Sequence, residues 1–324
     1  TTATYNTHIG YQAGFSNTSG PSNTSVGAGA FYDNTTGGYN VAIGSNSLPN
    51  NTTGNYNTAI GFYASQAGTT ASNNTAVGHQ ALYSATTNGS NTAIGKDVML
   101  NNTSGTDNTC VGISAMREST GGQRNTAIGI NTARAITTGN NNACLGHYSG
   151  FALTTGTANT LIGYTCGYAN NSSNKLTTGS QNILIGNSAN VSATGDSNCI
   201  VLTTSGSAGK GGSTGFIYPG GGGVYQGNNS SSWSTTSDRR LKKNITDSTV
   251  GLAEINQLQV RNFEYRTADE ITELDPLNVI EKSGVQVGVI AQEIQTVLPD
   301  CVKEETTGVL SVDPDNLTWH LVKA

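Results

Sequence analysis

The sequence predicts a mostly β protein, a trimeric β-solenoid (β-roll) of 17-residue repeats followed by a small α+β domain. Three observations predict it: a strict internal period, the residue types that fill the repeating unit, and a change of composition past residue 204.

The period comes first. Asn recurs at positions 6, 23, 40, 57, 74, 91, 108, 125, 142 and 159, and Gly follows four residues later each time. The text between reads Asn-Thr-Ala-Ile-Gly, as in Asn57-Thr58-Ala59-Ile60-Gly61. Asn182 and Asn198 continue the series after a six-residue insertion and a one-residue deletion. A fixed period of this length is the mark of a repeat architecture.

Seventeen residues are too few for a helix pair but suit one solenoid coil with two short strands and two turns. Asn and Gly adopt left-handed turn conformations at low cost, and stacked identical Asn side chains can form a hydrogen-bonded ladder. In a strand the Thr and Ile/Val columns share one face, the Asn and Ala/Cys columns the other. The larger Ile and Val are expected to form the spine inside the coil. The flat Ala/Cys stripe is then left for a neighbouring chain. A shaft with so thin a core is marginal alone, so three parallel chains are expected. At strand spacing, the coils would extend for about 50–55 Å.

Charge separates the two ends. Of the 35 charged residues 24 lie in 237–324, nine basic and fifteen acidic, whereas residues 1–204 carry five of each. A neutral shaft and an acidic end give no footprint for nucleic acid, and no apolar run reaches the length of a membrane span. The chain opens on Thr1 rather than Met, so a segment upstream is expected. The acids of the repeats, Asp33, Asp97, Asp107, Glu118 and Asp196, are scattered and form no pair of the kind glycan cleavage needs. Four of five cysteines, Cys110, Cys144, Cys166 and Cys199, take repeat positions held elsewhere by small or apolar residues, and read as buried small hydrophobes. With no CxxC or Cys/His spacing, no metal or cofactor is expected.

Residues 205–236 form a Gly/Ser-rich junction. Residues 237–324 have ordinary globular composition. Helical spacing is expected at Thr249–Leu258 and Ala291–Leu298, strands at Val260–Arg266 and around Val285–Val289, and a last helix from Asp313 to Ala324.

Two resemblances follow. Asn-Thr-Ala-Ile-Gly with a small residue after it resembles the β-roll repeats of trimeric autotransporter adhesin heads, and similar repeats occur in phage tail-fibre shafts. Ser237-Asp238-Arg239-Arg240-Leu241-Lys242-Lys243-Asn244-Ile245 resembles the opening of the intramolecular chaperone domain that ends phage tail fibres and endosialidase tailspikes. Gly288-Val289-Ile290-Ala291-Gln292-Glu293-Ile294 with Leu298-Pro299 resembles that family's second motif, and Ser311-Val312-Asp313 its third.

This second resemblance implies a chaperone at 237–324 that cleaves itself off at Thr236–Ser237, with Ser237 as nucleophile and Lys242 as general base. Asp238, Arg240 and Asn244 are the supporting residues. A Ser hydroxyl needs a neighbour to take its proton, and a Lys can do so only where burial or nearby cations destabilise its ammonium. The expected protein is a tail fibre of a bacterial virus, made in the host cytoplasm and carried on the virion. Its expected partners are two further copies of itself, an upstream tail component and a host-surface glycan or protein. A bacterial surface adhesin with the same chaperone is the alternative; an ice-binding solenoid is a weaker one. The insertion at 168–180 and the Gly-rich stretch at 211–223 are candidate receptor surfaces, because they interrupt the repeat.

Overall fold

The computed structural model describes residues 3–168, 174–219, 223–226, 234–235, 239–273, 280, 282–305 and 307–324. The chain divides into two compact units, Thr1–Thr236 and Ser237–Ala324.

The first unit is a solenoid. Twelve short parallel strands, from Thr7–Ile9 to Ile200–Thr203, stack in sequence order into one sheet. Each Thr-Ala-Ile triplet pairs with the triplet seventeen residues on, so that Ala42 faces Ala59 and Ile43 faces Ile60, and Ile60 in turn faces Val77. The β-branched residues favour the extended chain, and the Gly after them ends it. Gly44 has φ +126°, and a Cβ there would come within 2.7 Å of the Gly61 carbonyl oxygen. Neither the conformation nor the space admits a side chain.

Two strands per coil were expected and one is found. The remainder of each coil is turn, because further left-handed residues break it: Asn46 and Leu48 both have φ +48°, and Tyr63 and Ser65 lie at +56° and +51°. The backbone still pairs from coil to coil. Leu48 donates its N–H to the Ala64 carbonyl at 2.9 Å, and Thr52 to the Thr69 carbonyl at 2.7 Å.

The buried Asn column locks these coils together. Asn57 donates both its backbone N–H (2.9 Å) and its Nδ2 (3.1 Å) to Oδ1 of Asn40, and Nδ2 also reaches the Ala71 carbonyl at 2.7 Å. The same pattern repeats up to Asn182, whose Oδ1 accepts from the backbone of Cys199 at 2.9 Å. Cys199, not Asn198, therefore ends the column. The expected one-residue deletion does not exist, since Ile183 pairs with Ile200 at the full seventeen-residue offset.

The expected spine is inverted. Ala42, Ala59, Ala76, Ala93, Cys110, Ala127 and Cys144 are fully buried, whereas Ile43, Ile94, Ile128 and Ile162 are 37–41% exposed. The interior is too narrow for an Ile on every strand, because the turns already supply one large side chain to most coils. Phe31, Leu48, Leu82, Met99 and Met116 fill it from the ninth position of the repeat; where that position holds Ala133 or Gly150, Ile136 or Leu153 fills it from the twelfth. The left-handed ninth residue makes this possible. Ser47 and Leu48 are neighbours and both fully buried, which an extended chain with alternating side chains does not permit.

The sheet also runs on into the Gly/Ser-rich stretch. Gly215–Tyr218 pairs in parallel with Ile200–Thr203, and Val224–Gln226 and Ser234–Thr235 follow antiparallel.

The second unit is a small α+β fold. Arg261–Phe263 pairs with Gln286–Gly288, and Val302–Glu304 with Leu310–Val312, both antiparallel. Among the described residues three α-helices accompany them: α1 (Leu252–Ile255), α2 (Ala291–Val297) and α3 (Pro314–Lys323). Ile294, Leu298 and Cys301 form the buried centre, with Val250, Val289, Val312 and Leu317 packed against it.

One coil of the solenoid is underfilled. It carries Ser65 at the ninth position and Gly68 at the twelfth, and the buried Ser65 hydroxyl has no hydrogen-bond partner. Ser65→Leu would join Leu48 and Leu82 into one column, and is expected to stabilise the solenoid by about 0.5–2 kcal/mol. Denaturant unfolding followed by circular dichroism measures this; a lowered midpoint would show that the coil cannot take the side chain.

Candidate functional site

The site assigned from the sequence lies at the start of the second unit. Arg239–Leu241 form one 3₁₀ turn, closed by a hydrogen bond from the Lys242 backbone N–H to the Arg239 carbonyl at 3.1 Å. The chain then reverses at Asn244, whose φ of +54° is the left-handed conformation that Asn tolerates better than most residues. This turn brings Arg240, Lys242 and Asn244 onto one short exposed segment, and every residue from Arg239 to Thr249 is exposed. Within one chain, then, burial does not act on Lys242. Thr236, Ser237 and Asp238 lie outside the described residues.

The other two motifs occupy strand-to-helix joints. Gly288 closes the strand Gln286–Gly288, and Ala291 opens α2 two residues beyond Val289. On the first turn of α2, Glu293 accepts from Arg261 Nε at 3.1 Å and Nη2 at 3.0 Å, a two-bond clamp onto the strand Arg261–Phe263. That Glu293 partner raises the Arg261 pKa. Asp313 caps α3: its Oδ1 accepts from the backbone of Asp315 at 2.9 Å and Asn316 at 3.1 Å, with Pro314 as first helical residue. Both motifs thus hold together the fold of the second unit, which their sequence spacing did not show.

The solenoid surface holds rows of aromatic rings. Tyr39 stacks on Tyr56 at 5.2 Å and His147 on Tyr164 at 5.4 Å, while Phe151 lies 4.7 Å from Tyr168 with the Arg134 guanidinium above it. Equivalent positions seventeen residues apart generate such stacks. Of the candidate receptor surfaces, residues 169–173 and 220–222 lie outside the described residues. The five cysteines are free and buried. Burial pushes the Cys110 and Cys144 thiols far up, and Cys166 to about 12. The thiols of Cys110, Cys144 and Cys166 are packing groups rather than nucleophiles.

Loss of the Asp313 cap by substitution with Ala is expected to cost about 1 kcal/mol, with Asp313→Ser retaining most of it. Hydrogen exchange of the α3 amides reads the difference; equal protection in both variants would remove the cap from the stability of the helix.

Comparison with known protein families bears on the same segment. Residues 237–303 match the family described as chaperone of endosialidase, a span that contains the first two motifs and stops short of Ser311-Val312-Asp313. The chain is also similar to myelin regulatory factor homolog 1 of Caenorhabditis elegans, 35% identical over 88 residues. That alignment covers 27% of this chain and 9% of the relative. No solved structure matches. The chain thus joins a β-solenoid of seventeen-residue coils to a C-terminal segment that matches the chaperone-of-endosialidase family.

Proposed function

We propose that the protein is the distal, host-recognising part of a trimeric tail fibre of a bacterial virus. Its C-terminal segment sets three chains in register and then cuts itself off at Thr236–Ser237. The observation that carries this reading is the outward Ile/Val column, whose members are exposed or half-buried in the single chain along the length of the solenoid. Such a stripe is a binding surface seeking a partner, and its seventeen-residue repeat matches itself in a second and third copy. The chaperone match supports assembly as the task of the other unit.

Register is the difficulty such an assembly must solve, since a shift by one coil would satisfy the repeat nearly as well. Joining three C-terminal segments first holds the shafts at high effective concentration with their ends aligned. Removing those segments afterwards takes away the route back and leaves the shaft kinetically stable. In this reading the Ser237 hydroxyl attacks the Thr236 carbonyl carbon while Lys242 takes its proton; the Thr236–Ser237 C–N bond breaks, the freed Ser237 amine receives that proton, and water then hydrolyses the ester. Asp238, Arg240 and Asn244 are the supporting residues. Because Lys242 is exposed in one chain, a neighbouring chain desolvates it, so cutting waits for assembly. The shaft holds a host-surface glycan or protein without hydrolysing it, and an upstream tail component carries it on the virion. The rival reading, a bacterial surface adhesin, draws on the likeness of the repeats to adhesin heads, and is separated by finding the protein in virions or in outer membranes.

Two substitutions test the trimer contact against the fold. Ile60→Asp, on the outward column, is expected to give folded coils that sediment as monomers, whereas Ala59→Asp buries an unpaired charge and unfolds the solenoid. Trimers of the Ile60 variant would show that the contact lies elsewhere. For the cut, the full chain should yield a fragment whose N-terminus is Ser237, and both Ser237→Ala and Lys242→Ala should give uncut trimers. Cleavage persisting in Ser237→Ala, or a fragment starting at another residue, would refute the assignment.

A further inference from the structure

The end of the second unit brings together three metal-ligating side chains that lie on two separate elements. Asp300 and Cys301 end the 3₁₀ turn Pro299–Cys301 that follows α2, and His320 sits on α3, seven residues beyond its cap. His320 Nε2 stands 2.9 Å from Asp300 Oδ2. One ligand atom from each of Asp300, Cys301 and His320 lies within 4.8 Å of the other two. Cys301 is fully buried, and the His320 side chain is 12% exposed.

We propose that Asp300, Cys301 and His320 form a zinc(II) site with its fourth position open to water. Thiolate, imidazole and carboxylate together are the donors zinc takes, at about 2.3 Å from sulfur and about 2.0–2.2 Å from nitrogen or oxygen. Ligand atoms around one tetrahedral ion are therefore separated by about 3.3–3.6 Å. The His320–Asp300 pair must open slightly, and the sulfur, within 4.8 Å of both other ligand atoms, need close by no more than about 1.5 Å, a movement within reach of side-chain rotation. On binding, the Cys301 thiol gives its proton to solvent and the resulting thiolate takes the ion.

A further feature points the same way: the unit is short of core. Its fully buried apolar side chains among the described residues are Ile294, Leu298 and Cys301, and α3 leans on them through Leu317 while Trp319, Leu321 and Val322 stay exposed. Small folds with so little burial commonly depend on a metal or on other chains. An ion at this place ties α3 to the turn after α2.

Cobalt(II) is the probe, added to the reduced, metal-free full chain. The expected result is a thiolate-to-cobalt charge-transfer band that saturates at one ion per chain and disappears when zinc is added. Cys301→Ser should lose the band, His320→Gln should lose its saturation, and Cys199→Ser should keep both. Absence of the band in the wild type, or its survival in Cys301→Ser, overturns the proposal. A second measurement covers a variant that fails to fold: in the wild type, zinc should shield Cys301 from alkylation as read by peptide mass spectrometry. Alkylation of Cys301 at the same rate with and without zinc overturns the site as well.

Discussion

Everything in the solenoid depends on the bond between one Asn carboxamide and the backbone of the next coil. The Oδ1 of each buried Asn accepts the N–H of its successor, and its Nδ2 satisfies a turn carbonyl that faces the interior. Without the carboxamide, those turn groups would be buried and unpaired, each at a cost of about 1–3 kcal/mol. Asn is also the residue whose two functions, donor and acceptor, fit a column in which every member serves the coils on either side. The strict period follows from this. A coil one residue longer would place some other side chain against the waiting carboxamide, and the six-residue insertion is accommodated only because it returns the chain to register at Asn182, which bonds back to Asn159.

Much of this was legible in the sequence, since a period is a one-dimensional signal. Asn and Gly columns, stacked strands and a change of unit near residue 237 needed no knowledge of packing. What the pattern could not settle was which face looks inward. Ala and Ile alternate in both cases, and the usual preference of the larger apolar residue for the interior pointed the wrong way. The available clue was the Asn column, which shares its face with Ala59 and must be shielded from water to be worth its bonds. A second clue was Leu48 or Met99 in the turn, already enough to fill so narrow a coil. Cys199 was misread for a related reason: with an Asn one residue before it, identity at one position hid the register that Ile183 and Ile200 show.

In the second unit the elements were anticipated better than their extents. The helix expected over Thr249–Leu258 is four residues long, because only Leu252–Ile255 keeps helical hydrogen bonding before the turn at Asn256. Of the candidate site, the sequence placed Arg240, Lys242 and Asn244 on one segment, and the structure adds that this segment is an exposed turn. The contacts of Asp300, Cys301 and His320 were out of reach, since they depend on how α3 folds back over the turn after α2.

The left-handed residues at the ninth position have a mechanical consequence. They turn the chain sharply enough that nearly all inter-coil hydrogen bonds run along the solenoid axis, including those of the turns. Bending or compression spreads load over many such bonds at once. Tension applied to the two ends of a single chain instead meets them one coil at a time, so a lone solenoid would unravel like knitting. Side-to-side contact through the Ile/Val column, in the proposed trimer, would change that geometry, because a coil could then leave only by sliding against its neighbours, and a shaft assembled in this way would resist being pulled.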